Sequence, residues 1–359
     1  MNDLKRHSAQ FRANGAGWLM ASPAILLILI FLIVPFVLAF GLSFTNQRLL
    51  SPNPTEFVGM RNFEQLLGMG VLKLEPLPAP DEQVEGSDPE YPPLRNFTRN
   101  NPDYPHLNGM REWFSIPWGQ DRVFVLAQDV LFIKALVNTV LFVAIVAPLQ
   151  GGLALLLALM INQKLPGINI FRTIYFLPVV ISIVVVSLLF RFIYDGNNGL
   201  LNTLLGYASF GAFKPVDWLG RTDTALAAII GASIWQAVGF HMVIWLSGLQ
   251  TIPVSLYEAA DIDGATHLQK FRYVTWPGLR NTAVLILIVI TIQAFSVFAQ
   301  INLMTRGGPL DSTQTLVFQV VARGYEKQDI AGGSAISVLM FVFVLCISLA
   351  QRYLTRSKD

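Results

Sequence analysis

Six long apolar runs, separated by polar segments, dominate the pattern of the chain. Apart from Arg172 at the start of the third, the runs contain no Asp, Glu, Lys or Arg. An apolar run of about 18 or more uncharged residues is typical of a helix that crosses a membrane. The pattern therefore predicts an all-α membrane protein with six transmembrane helices, at residues 18–44, 135–161, 171–190, 224–249, 281–304 and 331–350.

The same pattern divides the chain into tails, loops and a core domain. The first run is too long for the core of a signal peptide, so we expect a retained first helix. Six spans place both termini on one side, and the three Lys or Arg residues in each tail favour the cytoplasm. The positive charges of the loops do not decide the orientation. The predicted units are a cytoplasmic tail at 1–17, the first transmembrane helix at 18–44, an extracytoplasmic loop with an insertion at 45–130, a core domain with five transmembrane helices at 131–350 and a cytoplasmic tail at 351–359.

The predicted extracytoplasmic loop differs sharply from the rest of the chain. Nine prolines lie between Pro76 and Pro117, and acidic residues outnumber basic ones. This composition resists regular helix and favours water, so residues 68–128 are predicted to be a mostly irregular insertion. The aromatic patch at 113–118 could lie at the membrane interface, contact a partner or form a small core for the loop. The sequence leaves these three alternatives open.

Composition excludes several classes of function. Only 13% of the residues are charged, against about 25% in an ordinary soluble domain. The net charge of +2 gives no reason to expect a nucleic-acid partner, and a single cysteine, Cys346, cannot form an intrachain disulfide. The chain contains no phosphate-binding loop of the Gly-x-x-x-x-Gly-Lys-Ser/Thr type, and its four histidines are scattered. We therefore expect no enzymatic activity, no metal site and no cofactor bound by this chain.

Neutral polar residues inside the runs are candidates for a solute pathway. Gln293, Ser296 and Gln300 follow the spacing of one helical face, and Gln236 lies on the fourth run near Ser233. Because polar groups facing lipid are costly, these side chains should face other helices. They could line a solute path or form interhelical hydrogen bonds, and the sequence does not decide between the two.

Ionisable residues inside the runs bear on how transport would be driven. Ion-coupled transporters normally carry such residues at membrane depth. The runs contain few, so the pattern argues against an ion-coupled secondary transporter of a small polar solute, which remains the alternative function. His241, the ionisable residue of the fourth run, could be functional or a hydrogen-bonded packing residue.

The polar segment at 253–277 predicts a helical elbow outside the bilayer. Ser255 and Glu258 fit a capping box, Gly264 fits a helix end, and Thr266 with Gln269 fits a second capping box. Pro277 is expected to end the second helix. Two helices of about nine residues are too short to be stable alone in water. They could dock on a partner or lie against their own membrane domain.

This segment resembles the EAA loop of ABC importer permeases. Glu258-Ala259-Ala260, Gly264 and Pro277 match the spacing of that loop, whereas Val274 and Trp276 replace its usual Ile and Leu. The form at 257–265 looks like the carbohydrate-uptake branch, which includes maltose-type and glycerol-phosphate-type permeases. Shorter fragments agree with that branch at Asn138-Thr139, 171–173, 176–178, 199–202 and 305–309. The resemblance covers nearly the whole chain except the insertion.

The resemblance implies one permease subunit of an ATP-driven importer in the bacterial inner membrane, with both termini cytoplasmic. Its implied partners are a second permease subunit, an ATPase dimer that holds ATP and Mg²⁺, and a periplasmic binding protein. That protein would deliver a sugar or a related polar solute, and a phosphorylated or sulfonated polyol remains open. The elbow would couple to the ATPase through Glu258, Ala259, Ala260, Asp263, Gly264, Ala265 and Pro277. The pathway candidates are Gln236, Gln293, Ser296 and Gln300.

Overall fold

The computed structural model describes residues 17–77, 90–163 and 166–355. Most of them are helical, as the apolar runs predict. The helices are α1 Gly17–Leu42, α2 Arg61–Leu67, α3 Arg95–Thr98, α4 Val130–Ile161, α5 Ile168–Val180, α6 Ile183–Ile193, α7 Leu200–Ala208, α8 Ala225–Gln250, α9 Val254–Ile262, α10 His267–Lys270, α11 Trp276–Phe295, α12 Ala299–Met304, α13 Leu316–Val321 and α14 Ile330–Thr355.

Helices in the membrane-spanning range correspond to all six predicted runs. Within the described residues, five helical stretches are long and apolar enough to cross a membrane. They are built on α1, α4, α8, α11 and α14. The helices α5 and α6 are together long and apolar enough for a sixth span if the bent pair is counted as one. The fold class predicted from the sequence is therefore confirmed.

Two of the predicted spans are interrupted, which the sequence analysis did not foresee. The helices α5 and α6 meet at 96°, with the break at Ile181 and Ser182. Pro178 lies in the last turn of α5, where it lacks a backbone N–H for the helical ladder. The fifth run breaks at 296–298, between α11 and α12. The third run therefore consists of two helices, and the fifth is interrupted near its end.

The centre of the bundle is formed by α4, α8 and α11. Phe142, Met242, Ile286 and Phe295 are among its largest fully buried side chains. A close approach joins α8 to α5 at Gly239, where an added Cβ would run into the backbone carbonyl of Tyr175. Small residues at such crossings let helix backbones approach each other within a membrane.

The first span lies at the edge of this chain. No residue of its apolar window is buried, and it packs mainly on α14, where the rings of Phe36 and Phe341 lie 4.9 Å apart. Its remaining surface is apolar, with Leu26, Phe31 and Leu38 all exposed. This surface is suited to lipid or to another apolar membrane helix.

The insertion contains a three-stranded antiparallel sheet. The strands are β1 Met69–Leu74, β2 Arg111–Trp118 and β3 Asp121–Ala127, in the order β1–β3–β2. Leu72, Leu74, Leu107, Phe124 and Leu126 form a small separate core beneath one face. The prediction of a mostly irregular insertion is therefore wrong for the residues described.

The sheet tolerates the prolines because of where they fall. Pro117 lies in β2, an edge strand whose outer side needs no ladder hydrogen bond. A two-residue turn joins β2 to β3, and its Gly119 has a φ of +68°. That glycine, followed by the β-branched and aromatic residues Val123, Phe124 and Val125 of β3, was the local signal for a hairpin.

The aromatic patch at 113–118 does not form the core of the insertion, which other residues provide. Trp113 packs against the main bundle, whereas Phe114, Ile116 and Trp118 are exposed on one face of β2. The alternative of a small core for the loop is therefore wrong. The interface and partner alternatives remain open.

Ion pairing and backbone hydrogen bonds fasten the sheet region to the bundle. Asp129 accepts a hydrogen bond from the backbone N–H of Phe132 at 2.9 Å, capping α4, and forms a largely buried ion pair with Arg323. Burial lowers the pKa of the Arg323 guanidinium. The backbone N–H of Ala331 donates to the carbonyl of Gln47 at 3.0 Å. We call this end of the bundle, which holds the sheet and residues 45–60 and 299–329, the sheet end. The opposite end holds the elbow at 253–277 and is called the elbow end.

Candidate functional site

A cavity of about 630 Å³ lies within the bundle, where both interrupted spans break. Val179 and Ile183 line it from either side of the break between α5 and α6. Ser296 and Val297 line it from the break between α11 and α12. Irregular backbone at membrane depth is tolerated where it borders protein or a water-filled cavity. The two breaks therefore mark this cavity as the candidate solute site.

The four pathway candidates predicted from the sequence all line this cavity. Gln236 comes from α8, Gln293 from the last turns of α11, Ser296 from the break and Gln300 from α12. The predicted single helical face does not exist, because α11 ends at Phe295. The three residues from the fifth run nevertheless border the same space.

Two of the candidates belong to a chain of hydrogen bonds between helices. The Ser233 hydroxyl donates to Oε1 of Gln300 at 2.8 Å, and Nε2 of Gln300 donates to Oε1 of Gln236 at 3.3 Å. Nε2 of Gln236 in turn donates to the carbonyl of Ile181, at 3.5 Å. Gln300 is only 4% exposed. These amides connect α8, α12 and the α5–α6 break, and we call the chain from Ser233 to Ile181 the amide brace.

The other two candidates are open to the cavity. Among the described residues, the side chain of Gln293 has no hydrogen-bond partner within the protein, and it is exposed. The Ser296 hydroxyl donates to the carbonyl of Ile292 at 2.9 Å, which leaves its oxygen able to accept. The cavity therefore has braced amides on one side and a free amide on another.

The sequence analysis missed Gln150, a further amide in the wall. Gln150 is buried in α4, and its Nε2 lies 2.9 Å from Nδ1 of His241. The same Nδ1 lies 3.0 Å from the carbonyl of Ala237. His241 does not line the cavity; it is fully buried behind Gln150. The signal that could have found Gln150 is an isolated amide beside Gly151 in an apolar run.

The first helix of the elbow begins differently from the prediction. The cap of α9 is Pro253, and no side chain caps the helix. Ser255 is the second residue of α9, so its hydroxyl is past the capping position. The predicted capping box of Ser255 and Glu258 is therefore wrong. Instead, the helix is preceded by Pro253, whose ring fixes φ near −60°. With a ψ of 131°, its backbone is extended.

The turn of the elbow agrees with the prediction. Gly264 has a φ of +71°. Its N–H donates to the carbonyl of Asp261 at 3.1 Å, and the N–H of Ala265 donates to that of Ala260 at 2.9 Å. These two bonds make up a Schellman motif, the usual end of a helix at glycine. The predicted capping box of Thr266 and Gln269 also forms.

The second helix of the elbow does not end at Pro277. A π-turn at Phe271–Thr275 continues α10 into α11, and the N–H of Trp276 reaches back to the carbonyl of Phe271. The wider turn accommodates the proline ring in the first turn of α11. The prediction of a helix end at Pro277 is therefore wrong, and α10 forms one helical path with the fifth span.

The elbow is tied together by its own polar side chains. The Tyr257 hydroxyl lies 2.9 Å from the Thr275 hydroxyl, and Lys270 forms an ion pair with Asp261. A groove of about 420 Å³ lies between α9 and the helical segment that follows Gly264. Five of the seven predicted coupling residues line it, whereas Glu258 and Pro277 do not. The five are Ala259, Ala260, Asp263, Gly264 and Ala265.

Some apolar side chains of the elbow are exposed to solvent, whereas Tyr257 and Val274 pack against the core of the bundle. No residue of α9 or α10 is buried, and Ile262 and Leu268 are 88% and 75% exposed. Isolated short helices with exposed apolar residues need a surface to pack on. The elbow is therefore anchored to its own membrane domain through Tyr257 and Val274 but leaves apolar side chains uncovered, and both alternatives stay open.

The sequence of this chain is similar to those of known transport permease proteins. The chain is 29% identical to the trehalose/maltose transport system permease protein MalF of Thermococcus litoralis, over 95% of this chain and 93% of that protein. It is also 29% identical to the sn-glycerol-3-phosphate transport system permease protein UgpA of Yersinia pestis, over 67% of this chain and 84% of that protein.

A solved structure shares the fold along nearly the whole chain. It is the crystal structure of a bacterial ABC transporter involved in the import of the acidic polysaccharide alginate. One of its chains matches with a TM-score of 0.69 and 21% identity, over 98% of both chains. At this identity the likeness shows the fold, including the region of the sheet.

The family model described as the binding-protein-dependent transport system inner membrane component matches residues 129–359. This match covers well over half of the chain, from the cap of α4 onwards. The protein therefore belongs to the family of binding-protein-dependent transport system inner membrane components.

Proposed function

We propose that this chain is the permease subunit of an ATP-driven importer and that the cavity is its solute path. One observation carries the proposal: a single helical path joins the elbow to the cavity. The π-turn and α11 run without a break from Lys270 to Phe295, and Gln293 faces the cavity near the far end. The 20 residues of α11 alone span about 30 Å. A movement imposed on the elbow is thereby transmitted to the cavity wall.

The exposed elbow suggests a partner for the elbow end. Its groove and its apolar side chains fit the surface of a separate ATPase subunit, which would bind ATP and Mg²⁺ as part of a dimer. The family description supports a binding protein as a further partner. We propose that this protein docks at the sheet end, that a second permease subunit completes the path, and that the elbow and both termini are cytoplasmic.

The nature of the solute follows from the relatives and the cavity together. Relatives named for trehalose/maltose and for sn-glycerol 3-phosphate support a sugar or a related polyol. The amides and rings at the cavity suit such a solute, since amides hydrogen-bond to hydroxyl groups and aromatic faces pack on sugar rings. Switching between two states of the importer would follow from differential binding of nucleotide, solute and binding protein.

The proposal is tested by replacing Gln293 with leucine. The assembled importer, in proteoliposomes with its binding protein, should lose about tenfold or more of its ATP-driven uptake, because the free amide no longer bonds the solute. Uptake of trehalose, maltose and sn-glycerol 3-phosphate is measured by radiolabel. Ile292→Leu, an exposed position next to Gln293, is the matched control. Unchanged uptake in Gln293→Leu with intact assembly would contradict the proposal.

A further inference from the structure

The described residues of this chain that line the cavity are all uncharged. Seventeen residues line it, of which four are Gln, two are Ser and eleven are apolar. Three of the apolar residues are aromatic, namely Phe142, Phe240 and Phe298. The polar part of the wall is therefore made of amides and hydroxyls alone.

These polar groups both donate and accept hydrogen bonds. The free amide of Gln293 offers an N–H₂ group and a carbonyl oxygen, and the Ser296 oxygen can accept while its proton bonds Ile292. A hydroxyl-rich solute also donates and accepts at each oxygen, so it can bond to both kinds of group. A phosphate or carboxylate can only accept, and it would leave the carbonyl oxygen of the amide without a partner.

The backbone at the first break adds dipoles that offset each other. The last turn of α5 presents carbonyl groups and the first turn of α6 presents N–H groups, and Ser182 makes no side-chain cap. A helix end carries roughly half an elementary charge, negative at the C-terminus and positive at the N-terminus. Since the two ends adjoin at Ile181 and Ser182, their charges largely cancel. The break provides polar groups without a net charge.

An ionised solute would enter such a cavity at a large free-energy cost. Moving a charge from water into a low-dielectric site without an opposite charge is strongly unfavourable. A neutral hydroxyl only exchanges its bonds with water for bonds with Gln293 or Ser296, and the solute's apolar faces can pack on Phe240 and Phe298. The balance therefore favours a solute without ionised groups.

We infer that the cavity takes a neutral, hydroxyl-rich solute and discriminates against phosphorylated or carboxylated analogues. The inference rests on the proposed function, in which the cavity is the solute path. It separates this chain from its relative named for sn-glycerol 3-phosphate and from the transporter of an acidic polysaccharide that shares its fold. Selection against charge would thus be built into the permease as well as into the binding protein.

The inference is tested with thiol reagents of one size and different charge. In a Cys346→Ala background, Ala299→Cys places a thiol in the cavity wall, and Ala212→Cys places one on an exposed loop as a control. The probes are the neutral 2-hydroxyethyl and the anionic 2-sulfonatoethyl methanethiosulfonates, applied to the assembled importer. The measured quantity is the ratio of the anionic to the neutral labelling rate.

We expect this ratio to be about tenfold lower in the cavity than at the exposed control. Adding Gln293→Lys to the cavity variant should raise the ratio severalfold, because the new cation offsets the charge of the reagent. Using a ratio removes any general effect of the lysine on the reactivity of the thiol. An equal ratio at both positions would overturn the inference.

Failure of the inference is distinguishable from failure of the proposed function. ATP-driven uptake is measured in the same proteoliposomes after labelling of Ala299→Cys with the neutral reagent. Blocked uptake together with equal ratios overturns charge selection and leaves the cavity as the path. Unimpaired uptake after complete labelling overturns the proposed path, as does a cavity thiol that the neutral reagent fails to reach, and the inference falls with it.

Discussion

The amide of Asn202 holds the loop between α6 and α8 through both of its polar atoms. Its Nδ2 donates to the carbonyls of Asp195, Gly196 and Val216, at 3.2, 3.1 and 2.9 Å. Its Oδ1 accepts from the N–H of Val216 at 3.3 Å and from the indole of Trp218 at 2.8 Å. One buried side chain therefore satisfies the polar groups of two separate loop segments.

Replacing Asn202 with leucine should destabilise the loop between α6 and α8. The substitution keeps the branched outline of the side chain but leaves buried carbonyls and an indole N–H without partners, at a cost on the order of 2–4 kcal/mol. The melting temperature of the purified chain should fall accordingly. Asn198→Leu is the control, since Asn198 is exposed and only its backbone contacts Asp195. Equal melting temperatures for the two variants would contradict the role assigned to Asn202.

Glu258 provides a second test at the scale of one residue. Because it does not cap α9 and is exposed, Glu258→Gln should leave the melting temperature of the isolated chain unchanged. We predict that the same change weakens association with the ATPase about two- to fivefold at low salt, with the difference vanishing at high salt. Glu326→Gln, at the opposite end of the molecule, is the control. Association that is insensitive to Glu258→Gln at low salt would show that its charge meets no basic group on the ATPase.

At this scale the sequence predicts which side chains matter better than it predicts what they do. An amide in an apolar run must face protein, which identified Gln236, Gln293 and Gln300. Whether each amide is braced or free depends on helices that are distant in sequence, as the bond from Gln300 to Gln236 shows. The same rule applies to Gln150, which the sequence analysis passed over, but its bond to His241 on another helix appears only in the structure.

At the scale of elements, hydrophobicity predicts where helices cross the membrane but not where they bend. The residues around Ile181 and Ser182 are as apolar as a straight span would have, so the break leaves little trace in the pattern. Proline is also ambiguous: Pro178 lies in α5 just before a 96° bend, whereas Pro148 lies inside the continuous α4. The outcome depends on packing against neighbouring helices.

For the sheet, the sequence analysis made the opposite error, because it predicted irregular structure where strands form. The prolines and acidic residues of the insertion indicate irregular structure, and this composition outweighed the short apolar runs of β1 and β3. The pairing of Met69 with Ala127 joins residues far apart in the chain. Such non-local pairing cannot be derived from the composition of a window.

The contact of α8 with α5 gives a prediction at this scale. Gly239→Ala should lower stability by roughly 1–3 kcal/mol, because its Cβ meets the rigid backbone of Tyr175 rather than a flexible side chain. The displacement of α5 should also move the break at Ile181 and reduce transport. Thermal unfolding and uptake are the measurements. The control is Gly152→Ala, whose Cβ meets open space; if both variants behave alike, the close approach is unimportant.

At the scale of the whole molecule, the elbow and the cavity form one mechanical unit. The elbow predicted from the EAA resemblance lies at one end of α11, and the free amide of Gln293 lies near the other. The sequence predicted both sites, but it placed a helix end at Pro277 between them. The π-turn at Phe271–Thr275 removes that interruption and makes the elbow continuous with the fifth span.

Gly264→Val tests this unit. The variant should remain inserted and fold almost normally, because Gly264 is exposed and an added Cβ meets nothing within 4 Å. The φ of +71° nevertheless disfavours a β-branched residue by a kilocalorie or more, roughly, so α9 should rotate against α10. We therefore expect ATP-driven uptake to be lost and binding of the ATPase to weaken. A pull-down of the ATPase and a melting curve of the purified chain separate this outcome from unfolding.

Gly264→Asn is the matched control, because asparagine adopts the left-handed conformation far more readily than valine. It should retain most of the uptake if the backbone conformation at the turn is what coupling requires. Loss of uptake in both variants would instead mean that the ATPase contacts residue 264 and leaves no room for a side chain. Full uptake with normal ATPase binding in Gly264→Val would show that the Schellman turn does not position the elbow. In that case, movement of the elbow would not reach the cavity through α10 and α11.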